Sequence, residues 1–110
     1  MGEARTDGQS RSEKERCGRV ALRETLRQDG VVCMRTSFTD KLGIRKTPGV
    51  RVRRDWKGRL RVSISVIARD GMDLRQLALT IQEAVLAGLE REGGPPVDQV
   101  DVWVAGVTAG

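Results

Sequence analysis

From residue 50 onward the chain alternates apolar and polar positions with the two-residue period of a half-buried strand. Val50 and Val52 interleave with Arg51 and Arg53. Leu60, Val62, Ile64, Val66 and Ala68 then interleave with Arg61, Ser63, Ser65, Ile67 and Arg69. Asp55-Trp56-Lys57-Gly58 between the two runs is rich in turn residues, so the pattern predicts a β-hairpin with one buried face and Trp56 as a lid over its end. Asp70-Gly71 breaks the second strand, and the period changes. Leu74, Leu77, Ala78, Ile81, Val85 and Leu89 recur at three- and four-residue spacing, which predicts a helix with one apolar stripe turned to the sheet. Asp73 stands at its N-cap with Gln76 three residues later, a capping-box pattern, and Gly93-Gly94-Pro95-Pro96 ends it. Val100, Val102 and Val104 alternate with Gln99, Asp101 and Trp103 as a last strand running up to Gly106.

Upstream the pattern is weaker. Residues 1–16 mix Arg, Glu, Lys, Asp, Ser and Gly without apolar periodicity and are expected to form a disordered leader. From about Cys17 to Gln28 the apolar residues Cys17, Val20, Ala21, Leu22 and Leu26 fall loosely at helical spacing, with Gly30 placed to stop the helix. Val31-Val32-Cys33-Met34 is too short to classify, and Thr36 to Gly49 reads as a loop closing with Thr47-Pro48-Gly49. The expected order is α-β-β-α-β: an α+β domain over 17–110, with helices packed on one face of a small mixed sheet formed by the hairpin and a third strand.

With 110 residues the chain is about one domain, since domains cluster near ~100–150 residues. It has one Phe, two Trp and no Tyr, so Val, Leu, Ile and Ala must fill the core. The absence of His excludes the usual Ser-His, Cys-His and His-ligated metal constellations from this chain alone. Cys17 and Cys33 are not in a CxxC pair and read as reduced cytosolic thiols. Ser63 and Ser65 have no base to activate them, and the carboxylates are spread along the chain rather than gathered. No catalytic residue, cofactor or metal is therefore expected. The N-terminal segment has no apolar core of a signal peptide, and no stretch reaches the roughly 18–20 apolar residues of a spanning helix.

The net charge of +5 is unevenly placed. Residues 1–44 carry +2, residues 45–61 carry +7, and residues 62–110 carry −4. The basic block holds Arg45, Lys46, Arg51, Arg53, Arg54, Lys57, Arg59 and Arg61 against Asp55 alone. Alternation puts Arg51, Arg53 and Arg61 on the face opposite Val50, Val52 and Val62, where like charges on neighbouring strands cost energy unless an anion or a carboxylate lies among them. Asp101 is one carboxylate that strand alternation can bring there. Trp103 shares its face and suits an interface anchor, a cation–π stack, a base-stacking platform, or simple packing on Arg stems. Arg51, Arg53, Arg59, Arg61 and Trp103 are accordingly the candidate residues for a partner or an anion. Four readings of the basic block stay open: a solvated face, a docking surface for an acidic partner, a docking surface for a second copy, or a nucleic-acid or lipid-phosphate site. The acidic remainder is complementary to the block and makes self-association a reasonable expectation.

The stretch from Thr47 to Val107 resembles the C-terminal half of the alkaline shock protein family, small bacterial envelope stress response proteins. The resemblance rests on Gly49-Val50 opening the first strand, Gly58 in the turn, and the alternation Leu60, Val62, Ile64, Val66. It continues in Ala78, Ile81, Gln82 and Val85 and in the ending Val100-Asp101-Val102-Trp103-Val104-Ala105-Gly106-Val107. It implies a non-enzymatic cytoplasmic protein acting in cell-envelope homeostasis, self-associating and held at the inner face of the membrane by a small membrane-anchored partner. The alternative expectation is a small nucleic-acid-binding domain that uses the Arg-rich hairpin.

Overall fold

A computed structural model describes residues 2–36, 47–93 and 96–109, with side chains in the first helix described from residue 12 onward. The chain is α+β. Its described elements are α1 (Gly2–Leu26), β1 (Val31–Met34), β2 (Val50–Arg54), β3 (Leu60–Arg69), α2 (Leu74–Arg91) and β4 (Val97–Thr108).

β3 is the spine of the sheet. Its first half pairs with β2 and its second half with β1, both antiparallel, so these two short strands lie end to end along one edge of β3. Ser65 is the handover point: its N–H donates to the Gly49 carbonyl at 2.8 Å, and its carbonyl accepts from the Arg35 N–H at 2.9 Å. β1 is the element that the alternation pattern left unclassified. On the other edge β4 runs parallel to β3 over its whole length, from Leu60 opposite Val97 to Arg69 opposite Thr108. The parallel direction follows from the helical crossover, because α2 carries the chain back along the sheet before β4 begins.

Both helices cover one face. Leu60, Val62, Ile64, Val66 and Ala68 are fully buried beneath them, joined by Val50, Val100, Met34 and Val31 from the flanking strands. α2 contributes Leu77, Ile81, Val85 and Leu89, while Leu74, expected in the same stripe, remains 38% exposed in the first turn. Asp73 caps α2 by accepting the Gln76 N–H at 3.1 Å. The Gln76 side chain bonds Thr80 Oγ1, so only the Asp73 half of the capping box is formed.

α1 departs from the expected leader. It spans Gly2–Leu26 instead of beginning near Cys17. Cys17, Val20 and Ala21 are buried and fix its C-terminal half, and once that turn is nucleated each added residue extends the helix at little cost even without an apolar face. Glu13 reinforces the extension by reaching Arg54 of β2 at 2.9 Å. Gly30 also has a different role from a helix stop. It does not take a positive φ. A Cβ there would stand 2.7 Å from Met72 Cε and 2.9 Å from Leu77 Cδ1, so the glycine admits the entry to α2 against the chain. Of the expected loop 36–49, residues 37–46 lie outside the described residues.

Candidate interaction surface

Strand alternation leaves the second face of the sheet uncovered. In register across β2, β3 and β4 it presents Arg53–Arg61–Gln99, then Arg51–Ser63–Asp101, then Ser65–Trp103. Arg53 and Arg61 are therefore direct cross-strand neighbours, a like-charged pair that costs energy unless an anion approaches. Trp103, two positions along from Asp101, is 64% exposed on this face.

Asp101 does not neutralise the arginines by direct pairing. Its Oδ1 accepts from Gln99 Nε2 at 2.6 Å, and Gln99 in turn accepts from Arg61 through its Oε1. Asp55, the sole acid of the basic block, is also committed. Its Oδ1 accepts the N–H groups of Lys57 and Arg59, each at 2.9 Å, and so closes the hairpin turn in which Gly58 takes φ 82°.

The block of eight basic residues thus divides. Arg54 is drawn to Glu13 and to the Gly58 carbonyl. Arg59 pairs with Asp98 at 3.0 Å, at the start of β4. Lys57 lies 5.1 Å from the ring centroid of Trp56. Trp56 is not a lid: it is 90% exposed, and the turn is closed instead by Asp55. Arg45 and Lys46 lie outside the described residues. Among the described residues no ion pair engages Arg51 or Arg53. Of the five candidate residues, the fold therefore brings Arg51, Arg53, Arg61 and Trp103 to one exposed face and sets Arg59 apart in an ion pair at its rim.

A second basic feature was not among the candidates read from the sequence. Arg16, Arg19 and Arg23 rise on one side of α1 and, with Val20 and Glu92, line an open groove of about 560 Å³. Arg23 is bound within it to Glu24 at 3.1 Å and Glu92 at 3.3 Å. The three- and four-residue spacing of these arginines is the signal in the sequence: Arg19 and Arg23 fall within the helix expected over Cys17 to Gln28, and Arg16 lies just outside it. Cys17, on α1, is buried and Cys33 is exposed, both as free thiols. Burial pushes the Cys17 thiol up to about 11, so it stays protonated and unreactive near neutral pH.

Among the described residues no group of three or more Cys, Asp or Glu side chains is placed to hold a metal ion. No described helix is long and apolar enough to cross a membrane. What the outer face offers chemically is binding: the guanidiniums of Arg51 and Arg53, in no ion pair among the described residues, stand beside an exposed aromatic ring and suit carboxylates or phosphates. Compared with known proteins, the chain matches no family model, no curated protein and no solved structure.

Proposed function

We propose that this protein works by binding rather than by catalysis, as an interaction module whose working surface is the uncovered face of its sheet. The observation that carries the reading is the juxtaposition of Arg53 and Arg61 across the hairpin, with Arg51 beside them and the Asp101 carboxylate bonded to Gln99. Leaving like charges face to face is unfavourable in the isolated chain and becomes favourable when an acidic surface lies over them. Trp103 supplies the apolar anchor that such an interface needs near its charged contacts.

In this reading the chain acts as members of the alkaline shock protein family do. It self-associates in the cytoplasm, is recruited to the inner face of the membrane by a small membrane-anchored partner, and serves cell-envelope homeostasis under stress. The resemblance over residues 47–107 supports the assignment, and the electrostatics of the outer face support its acidic partner.

Cell fractionation tests it. The wild-type chain should sediment with membranes and be released by high salt, whereas an Arg51→Ser, Arg53→Ser, Trp103→Ala variant should move to the soluble fraction. A wild-type chain that is wholly soluble, or a variant that fractionates like it, would contradict the reading. So would salt-sensitive retention on RNA or DNA that the substitutions abolish, since that result belongs to a nucleic-acid-binding domain.

A further inference from the structure

We infer that the free edge of β4 is the self-association surface, and that it pairs antiparallel with β4 of a second copy about a two-fold axis through Val102. This rests on the reading of the chain as a self-associating module and names the surface responsible.

Among the described residues β4 pairs with β3 alone, so the other side of this 12-residue strand has no strand partner. Edge strands of monomeric proteins are usually guarded by Lys, by Pro or by shortness. β4 has neither Lys nor Pro. Its two acids are occupied, Asp98 by Arg59 and Asp101 by Gln99. Bulges stand at Asp98, between the pairs Leu60–Val97 and Arg61–Gln99, and at Ala105, between Val66–Val104 and Ile67–Gly106, and confine regular pairing to Gln99–Val104, the stretch centred near Val102.

The direction of the free groups is marked by Gln82. Its Nε2 reaches from α2 to the Val100 carbonyl at 2.9 Å, which places that carbonyl on the side away from the β3 ladder. Alternation gives Val102 and Val104 the same outward direction. These three residues form a self-complementary set. A two-fold axis at Val102 sets Val102 opposite Val102 and Val100 opposite Val104, extending the buried valine row from one sheet into the next. On the outer face the same register sets Asp101 opposite Trp103, whereas an axis at Asp101 would place two carboxylates against each other. Gln82 must share or yield the Val100 carbonyl when the strands meet, which makes it a cover for the edge in the monomer.

The helix layer agrees with this occupant. Leu79 and Leu86 are 46% and 44% exposed and flank Gln82 on its side of α2. Pairing two β4 strands brings the two α2 helices alongside one another, so these leucines gain an apolar neighbour that the single chain lacks.

Paired cysteine substitutions test the register. With Cys33→Ser as background, the full chain is prepared as Asp101→Cys and, separately, as Trp103→Cys. Under mild oxidation a mixture of the two should form a disulfide-linked dimer, while neither alone should link to itself to a comparable extent, because the register sets Asp101 opposite Trp103 and neither opposite itself. Equal linking of Asp101→Cys with itself would overturn the register. A dimer by sedimentation without the mixed disulfide would overturn the β4 edge while leaving the interaction reading standing. A wild-type chain that stays monomeric at its highest soluble concentration would overturn both.

Discussion

Gly88 of α2 lies directly against Glu24 of α1: a Cβ on Gly88 would stand 2.9 Å from Glu24 Cγ and 3.1 Å from Val20 Cγ1. The two helices approach closely here, with no room for a side chain on Gly88. The contact is secured by the buried Glu24 carboxylate, whose Oε2 is reached by Arg23 at 3.1 Å, Arg27 at 3.2 Å and Arg91 at 3.5 Å. The first two come from α1 itself and the third from α2, so one carboxylate pins both helices.

Gly88→Ala should lower stability despite the better helix propensity of alanine. Propensity returns about 1 kcal/mol, and overpacking a fixed site costs about 1–3 kcal/mol, which leaves a net loss of roughly 1 kcal/mol. Gly88→Val should lose more. Urea unfolding midpoints measure both, and a higher midpoint for Gly88→Ala would mean that Glu24 moves aside freely.

Glu24→Gln should cost about 1–2 kcal/mol, since three guanidiniums lose a buried charged acceptor while keeping partial access to water. The loss should shrink at high salt, where screening weakens the wild-type pairs. Unfolding curves at low and high ionic strength decide it; a loss independent of salt would point to packing instead.

Gly49→Ala should be more damaging than either. Gly49 holds φ 77°, and a Cβ there would meet Met34 Cβ at 2.8 Å and the Ser65 carbonyl at 3.0 Å. Left-handed backbone and a clash with β3 together imply about 2–3 kcal/mol. The junction where β1 gives way to β2 should loosen first, seen as faster hydrogen exchange at Arg35 and Ser65.

The two thiols should separate cleanly by reactivity. At pH 7–8 a thiol reagent should modify exposed Cys33 rapidly and buried Cys17 only on unfolding. Because the folded Cys17 thiol titrates near 11 and the unfolded one near 9.0, its burial supports the fold below pH 9 and the support fades as pH rises towards 11. Mass spectrometry of labelled peptides checks the first point and thermal unfolding across that pH range the second.

Legibility in the sequence followed the strength of the local period. The hairpin, α2 and the valine alternation of β4 were readable because Leu60 to Ala68, Leu77 to Leu89 and Val100 to Val104 each repeat against a single buried face. β1 was not, because its four residues form a strand only where β2 ends and the second half of β3 needs a partner on that edge. The N-terminal half of α1 was missed because its hold on β2 is an ion pair between residues 41 positions apart, Glu13 and Arg54. At the surface, alternation placed Arg51, Arg53, Arg61 and Trp103 on one face. Which charges stay unneutralised depended on tertiary pairing: Arg54 and Arg59 left the set, and Asp55 went to the turn.

Ser63 sits at the centre of the outer face, between Arg51 and Asp101, and gives the most direct test of the claim that this face is the working surface. A photo-crosslinking residue placed at Ser63 and activated in cells should yield a discrete protein adduct in the membrane fraction, lost when Arg51 and Arg53 are replaced by Ser. No protein adduct, or adducts with nucleic acid alone, would contradict it.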